Sequence, residues 1–207
     1  MTDYNKEYYY IGQKGDFYPL VNYVTANFAE GNHKKALNIE SERIVAFGSP
    51  QPDHPQFADF HHLKAHMSVV SKRLKETMEE MKLKNVQFLP TQIQDYDRAL
   101  HGDYFIVHVY NMIAALDKEK SDWTHSPFNE SMVGFVDKLV LDNSVIDTIP
   151  LEDRLLFALD ERRTKILYHH SLAQKILDIS PTGLTFRCLA GYDSSLPFIE
   201  EYLEKKL

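Results

Sequence analysis

Two stretches of this chain, Ser68–Pro90 and Ile166–Leu189, repeat one spacing of apolar residues, and this spacing constrains the fold more than any other feature. Aligned at a constant offset without a gap, the stretches match at five apolar positions: Leu74 with Leu172, Met78 with Ile176, Met81 with Ile179, Val86 with Leu184, and Phe88 with Phe186. The pattern predicts two related strand–helix–strand units. Unrelated units of this kind can share the same spacing, so the sequence leaves their common origin open.

Local signals place the elements of these two units. Ser71 is a typical N-cap for a helix over Lys72–Lys82, and a strand follows at Val86–Leu89. The second unit begins with a hairpin of Arg154–Leu159 and Lys165–Tyr168, which precedes a helix at Ser171–Asp178 and a strand over 184–189.

The rest of the chain supplies further strands and loops. Strands are predicted at Arg43–Phe47, 104–110 and Lys138–Leu141, and two short strands, or a strand and a loop, in the aromatic run 7–25. Loops are predicted at 49–57, 91–102 and 122–134, a short helix at 57–67, and a C-terminal amphipathic helix at 196–207. We therefore expect a single α+β domain over 1–207 with a mixed or antiparallel sheet, which the two similar units can divide into lobes at 1–100 and 101–207.

Composition limits the classes of function. The chain has 207 residues and a formal charge of −7 without a basic tract, which argues against nucleic-acid binding. No apolar run approaches the roughly 20 residues that span a bilayer. The N-terminus has no signal-peptide pattern, and the single Cys188 cannot form an internal disulfide. These features predict a cytoplasmic protein that binds no membrane.

Candidate catalytic and metal-binding residues are few. His61, His62 and His66 lie close together in the sequence, and His62 and His66, four residues apart, could bind zinc on a helix, but no third ligand stands at a recognisable spacing. Cys188 lies within a predicted apolar strand, where a thiol is typically buried. The sequence predicts no cofactor, no metal site and no enzyme activity. A metal- or thiol-dependent enzyme and a scaffold or homo-oligomer are the alternatives.

The order of several short motifs resembles a known family. The motif residues are Ser71, Val86 and Phe88 in the first unit, then Asp103, Tyr104, Asn111, Ile113, Asp117 and Ser121, and finally Phe157, Leu172, Gly183 and Phe186. In this order, over roughly residues 50–190, the chain resembles an immunity-protein family of bacterial polymorphic-toxin systems that was long known only as a domain of unknown function.

The resemblance implies a cytoplasmic protein that binds and neutralises a cognate protein toxin and has no catalytic residues of its own. An acidic inhibitor would be attracted to a basic toxin such as a nuclease domain. The residues predicted to contact the toxin lie in the N-terminal aromatic run and in the proline-rich loop and its continuation: Tyr8, Tyr9, Tyr10, Asp53, His54, Asp59, His61 and His62. The tyrosines have core packing as an alternative use.

Overall fold

The computed structural model describes residues 2–14, 21–25, 34–37, 44–48, 57–62 and 67–191. The strands in this part of the chain are β1 (Tyr8–Gln13), β2 (Val21–Thr25), β3 (Ile44–Gly48), β4 (Phe60–His62), β5 (Ser68–Ser71), β6 (Val86–Gln94), β7 (Leu100–Val109), β8 (Met112–Ile113), β9 (Asp122–Ser126), β10 (Asn129–Lys138), β11 (Leu156–Leu159), β12 (Ile166–His169) and β13 (Leu184–Cys188). The α-helices are α1 (Lys72–Glu79), α2 (Asn143–Asp147) and α3 (His170–Leu177). The protein is therefore α+β.

The strands form two mixed sheets and a separate hairpin. The first sheet has the order β13-β1-β12-β11-β8, in which only β11 and β8 are parallel. The second has the order β2-β3-β6-β7-β5-β4, with one parallel pair, β3 and β6. β9 and β10 pair only with each other in the described part of the chain.

The first sheet is covered on both faces, which explains its apolar strands. Phe157 and Leu167 belong to one core cluster, together with Ile146 of α2 and Leu141. Their neighbours Leu156 and Tyr168 point to the opposite face and join a second cluster. Alternate residues of a strand point to opposite faces, so β1, β12, β11 and β8 contribute to both clusters, whereas the apolar residues of β13 join the second.

The second cluster also connects the two sheets. Leu74 and Met78 of α1 and Leu172 and Ile176 of α3 are buried in it, and strand residues from both sheets join them. The facing helices are further linked at the surface, where the Lys175 Nζ atom lies 2.7 Å from a Glu80 carboxylate oxygen. The two helices therefore fill the space between the sheets.

The two stretches of similar spacing have the same order of elements, β5–α1–β6 and β12–α3–β13. In each, the two strands flank a third strand that is antiparallel to both, β7 in one case and β1 in the other. Positive φ angles fall at aligned positions, Lys82 with Ser180 and Asn85 with Gly183. A common origin of the two stretches stays a prediction.

Several predicted elements are confirmed and others are wrong. The helix after Ser71, whose side chain accepts a hydrogen bond from the Leu74 N–H, is confirmed, as is the hairpin of β11 and β12. The 91–102 connection is shorter than predicted, because β6 and β7 extend into it. The predicted strand Lys138–Leu141 is wrong beyond the end of β10, since Leu141 forms only an isolated bridge with Leu116. The predicted C-terminal helix lies outside the described residues.

In the part of the chain that the structure describes, none of the helices has both the length and the apolar character needed to cross a bilayer.

Candidate functional site

The three consecutive tyrosines of β1 are buried and do not form a surface patch. Tyr8 and Tyr10 point into the first core cluster, and Tyr9 points into the second. This follows from the position of β1 between β12 and β13, in a sheet with two covered faces. Core packing, the alternative use of the tyrosines, is what the structure shows for these residues, and a contact with a toxin stays a prediction.

Tyr8 is held by a buried arginine. Its hydroxyl accepts a hydrogen bond from Arg154 Nη1 at 2.9 Å and donates one to the Arg154 carbonyl oxygen at 3.1 Å. The Arg154 guanidinium also lies over the Tyr4 ring, 4.6 Å from its centroid. Burial raises the pKa of the Tyr8 hydroxyl to about 12, so it stays protonated at neutral pH. This contact joins the N-terminal strand to the segment before β11.

Asp59, another predicted partner contact, connects three segments of the fold. Its carboxylate accepts hydrogen bonds from Ser71 Oγ at 2.7 Å, Arg73 Nη2 at 2.5 Å and the Thr182 N–H at 2.8 Å. Partial burial raises the pKa of this carboxyl, but the donors from Arg73, Ser71 and Thr182 outweigh it, and the pKa lies below its ordinary value. Asp59 therefore connects the start of β4 to α1 and to the turn before β13.

Replacing Asp59 with asparagine should lower the free energy of unfolding by about 2 kcal/mol at pH 7, because the amide nitrogen then faces hydrogen-bond donors. Since the folded-state pKa is lowered, the stabilisation is present above the ordinary pKa of 3.8 and is lost as the pH falls through the folded-state pKa. Urea unfolding between pH 3 and pH 7 measures this. The exposed Asp97→Asn is the matched control. Equal stability of the two variants at pH 7 would contradict the role of Asp59.

The predicted helix over 57–67 is wrong, because residues 60–62 form the edge strand β4. His61 and His62 consequently point to opposite faces. His61 is fully buried, with its ring centroid 5.7 Å from that of Phe57, whereas His62 is exposed. Two adjacent residues of a strand do not converge on one ion as a helical pair can. Asp53, His54 and His66 lie outside the described residues, and their predicted roles stay predictions.

Two further residues with chemically versatile side chains, His169 and Cys188, have structural partners. His169 is the N-cap of α3, where its Nδ1 accepts from the Ser171 N–H and its Nε2 lies 3.3 Å from a Glu7 carboxylate oxygen. Burial lowers the pKa of His169, although Glu7 opposes this effect. The half-buried Cys188 directs its Sγ toward the Asn5 carbonyl oxygen at 3.5 Å. Among the described residues, no three His, Cys, Asp or Glu side chains are grouped as metal ligands would be.

A surface of a different kind lies on the β9–β10 hairpin, Asp122–Lys138. Val133, Val136 and Trp123 pack on the first core cluster from one side of the hairpin. On the hairpin's outer surface, Phe128, Met132 and Phe135 are exposed, Phe128 to 96%. Phe128 lies in the turn that joins the two strands. Soluble proteins seldom expose several large apolar side chains on one element without a binding role.

The predicted loop at 122–134 is wrong, because these residues belong largely to β9 and β10, whose pairing is irregular. Between the pairs Asn129–Ser126 and Val133–His125, β10 advances four residues while β9 advances one, and two further register shifts follow. Such bulges interrupt the alternation of apolar and polar residues that marks a strand. The turn at Ser126–Asn129, between two segments rich in aromatic and β-branched residues, is the signal that could have identified the hairpin.

A comparison with protein-family models decides the identity. The model of an immunity protein family (Imm11) matches residues 27–190. The chain belongs to the Imm11 family. No protein in a search of curated sequences matches it. The Imm11 match includes the whole β9–β10 hairpin and both strand–helix–strand stretches, whereas β1 lies before it.

The motif residues that carried the family resemblance support the fold. The buried Asn111 donates through Nδ2 to the carbonyl oxygens of Asp153 and Leu156, at 2.8 and 2.9 Å. Asp117 accepts from the N–H groups of Glu119 and Lys120 and so closes a turn. These contacts are internal to this Imm11 protein, so Asn111 and Asp117 brace its fold.

Proposed function

We propose that this Imm11-family protein binds a cognate bacterial toxin in the cytoplasm and neutralises it. The observation that carries the proposal is the family match over residues 27–190, which spans most of the chain. The protein acts by binding and carries out no catalysis of its own. We further propose that the chain is a single domain, because β1 pairs with β12 and β13 and a shared core joins the two sheets.

The net charge supports a basic partner. At −7, the chain attracts a positively charged toxin such as a nuclease domain, which accelerates encounter at low ionic strength. Salt screens this attraction, since the Debye length falls from about 30 Å at 0.01 M to about 8 Å at 0.15 M. An association rate that does not change with salt would contradict this part of the proposal.

The proposal is tested by expressing, in one host, the toxin domain encoded by the neighbouring reading frame. We expect cells that express the toxin alone to lose viability and cells that also express this chain to survive. A toxin from an unrelated locus serves as the control and should still kill. Loss of viability in the presence of well-expressed, folded chain would contradict the proposed function.

A further inference from the structure

We propose that the β9–β10 hairpin is the surface that docks onto the toxin, and that Phe128, Met132 and Phe135 enter an apolar cleft of the toxin with a basic rim. The inference deepens the proposed function and rests on it. It assigns the contact to exposed side chains other than those of the tyrosines, Asp59, His61 and His62.

The distribution of exposed apolar side chains singles out this hairpin. Six large apolar side chains are exposed in the described part of the chain, and three of them are on this element. Two others, Tyr96 and Leu100, lie at the β6–β7 hairpin, and Leu151 is separate. Interface centres are rich in aromatic residues and methionine, which are the residue types presented here.

Hydrogen bonds hold the hairpin in the shape that exposes these side chains. His125 Nδ1 donates to the Glu130 carbonyl oxygen across the largest bulge, and Asn129 Oδ1 accepts from the N–H and hydroxyl of Ser131. Gly134 permits close strand contact, since a Cβ there would lie 2.5 Å from the His125 carbonyl oxygen. A surface that is ordered before binding loses less conformational entropy when it binds.

The charges around the apolar residues indicate the chemistry of the partner. Asp122, Glu130 and Asp137 are exposed on the hairpin, and Lys138 is its one lysine or arginine. Two further cations lie beside the hairpin: the Arg162 guanidinium is 5.8 Å from the Phe135 ring centroid, and the Lys118 Nζ atom is 5.6 Å from that of Trp123. The hairpin's own side chains are acidic on balance, with Glu130 nearest the turn that presents Phe128. A toxin surface with lysines and arginines around an apolar cleft complements it.

The same charges argue against a second copy of this chain as the occupant. A symmetric dimer through this surface would bring together two hairpins whose own side chains are each acidic on balance. Like charges at an interface cost free energy, and the apolar contact would have to offset that cost. A basic toxin would face the hairpin carboxylates with opposite charge, so this free-energy cost would not arise.

The test measures the affinity of the toxin domain from the neighbouring reading frame for purified full-length variants, by surface plasmon resonance. The triple variant Phe128→Ala, Met132→Ala, Phe135→Ala should weaken binding by about 100-fold or more, because side chains at an interface centre carry most of the affinity. Phe128→Ala alone should weaken it by about 10-fold. Glu130→Lys should slow association several-fold at low salt.

A control variant and a single substitution separate an effect on binding from a general effect of removing exposed apolar side chains or of unfolding. The double variant Tyr96→Ala, Leu100→Ala removes exposed apolar side chains from the other hairpin and should leave affinity within about threefold of the wild-type value. If the triple variant does not fold, Phe128→Ala decides the question, since a side chain this exposed contributes little to the core.

The outcomes distinguish the inference from the function on which it rests. A wild-type chain that does not bind the toxin contradicts the proposed function. A wild-type chain that binds, with Phe128→Ala and the folded triple variant binding equally well, overturns the hairpin inference alone. A wild-type dimer in analytical ultracentrifugation that Phe128→Ala converts to a monomer would assign the surface to self-association and would also overturn the inference.

Discussion

Replacing Tyr8 with alanine is expected to lower the free energy of unfolding by about 4 kcal/mol. The ring is fully buried and makes edge contacts with Phe157 and His169, at centroid distances of 5.3 and 5.4 Å. Its loss leaves a cavity in the first core cluster and removes the hydroxyl that accepts from Arg154. A buried guanidinium that loses a hydrogen-bond partner adds to the cost of the cavity.

Two variants calibrate this expectation in urea unfolding monitored by circular dichroism. Tyr8→Phe keeps the ring and removes only the hydroxyl, so it should cost about 1–2 kcal/mol. Tyr96→Ala removes the same side chain from a site that is 82% exposed and should change stability by less than about 0.5 kcal/mol. If Tyr8→Ala were as stable as Tyr96→Ala, β1 would not be a core strand of the first sheet.

Gly183→Ala is expected to lower the free energy of unfolding by about 3 kcal/mol. Gly183 has a φ of +80°, in a region that residues with a Cβ rarely adopt. An added Cβ would also lie 2.5 Å from the Ala58 Cβ and 2.7 Å from the Phe60 carbonyl oxygen. The Phe60 atom belongs to the main chain of β4, so relief of the contact requires the strand or the turn to move.

The matched control is Gly102→Ala in β7. A Cβ at Gly102 meets nothing within 4 Å, and this variant should differ from wild type by less than about 0.5 kcal/mol. Thermal and urea unfolding of the two alanine variants measure the contrast. Equal stability of the two would show that the turn before β13 adapts to a side chain and does not need glycine.

The prediction for Gly183 explains why a glycine belongs to the motif that carries the family resemblance. The turn places the Thr182 N–H at the Asp59 carboxylate. The following residue, Gly183, then passes close to the main chain of β4. The sequence alone predicts a turn with a glycine before the last strand. It does not predict that β4 lies against this glycine. Ala58 and Phe60 are distant from Gly183 in the sequence and become its neighbours only in the folded protein.

Elements with strong local signals could be predicted. The N-cap at Ser71 and the apolar spacing at Leu74 and Met78 define α1 without reference to any other part of the chain. The β11–β12 hairpin is similarly local, since two apolar strands are joined by a short charged turn. In these cases the favoured local conformation and the tertiary environment agree.

Features that depend on distant pairing could not be predicted. The tyrosines at 8–10 can suit a surface or a core, and only the insertion of β1 between β12 and β13 decides between these uses. Residues 60–62 were expected in a helix, but pairing with β5 makes them an edge strand and separates the two histidines by face. The register shifts between β9 and β10 interrupt the alternation that marks a strand, so the sequence did not predict this hairpin.

The residues considered for toxin binding thus form two groups, one that stabilises the fold and one that is exposed on the hairpin. Asp59, His61 and the tyrosines contribute to the fold, and a variant at these positions should reduce toxin binding only through lost stability. The hairpin residues Phe128 and Met132 are exposed and should affect binding while stability stays unchanged. Measuring both quantities for each variant separates the groups.

The central claim is that this protein neutralises a toxin by binding it, and a tight-binding titration tests it most directly. Purified chain is added in steps to the purified toxin domain from the neighbouring reading frame, and the toxin's own activity is followed at physiological salt. We predict that activity falls linearly to zero at one equivalent of folded chain, as for a nanomolar complex. Full toxin activity in the presence of a large molar excess of folded chain would contradict the claim.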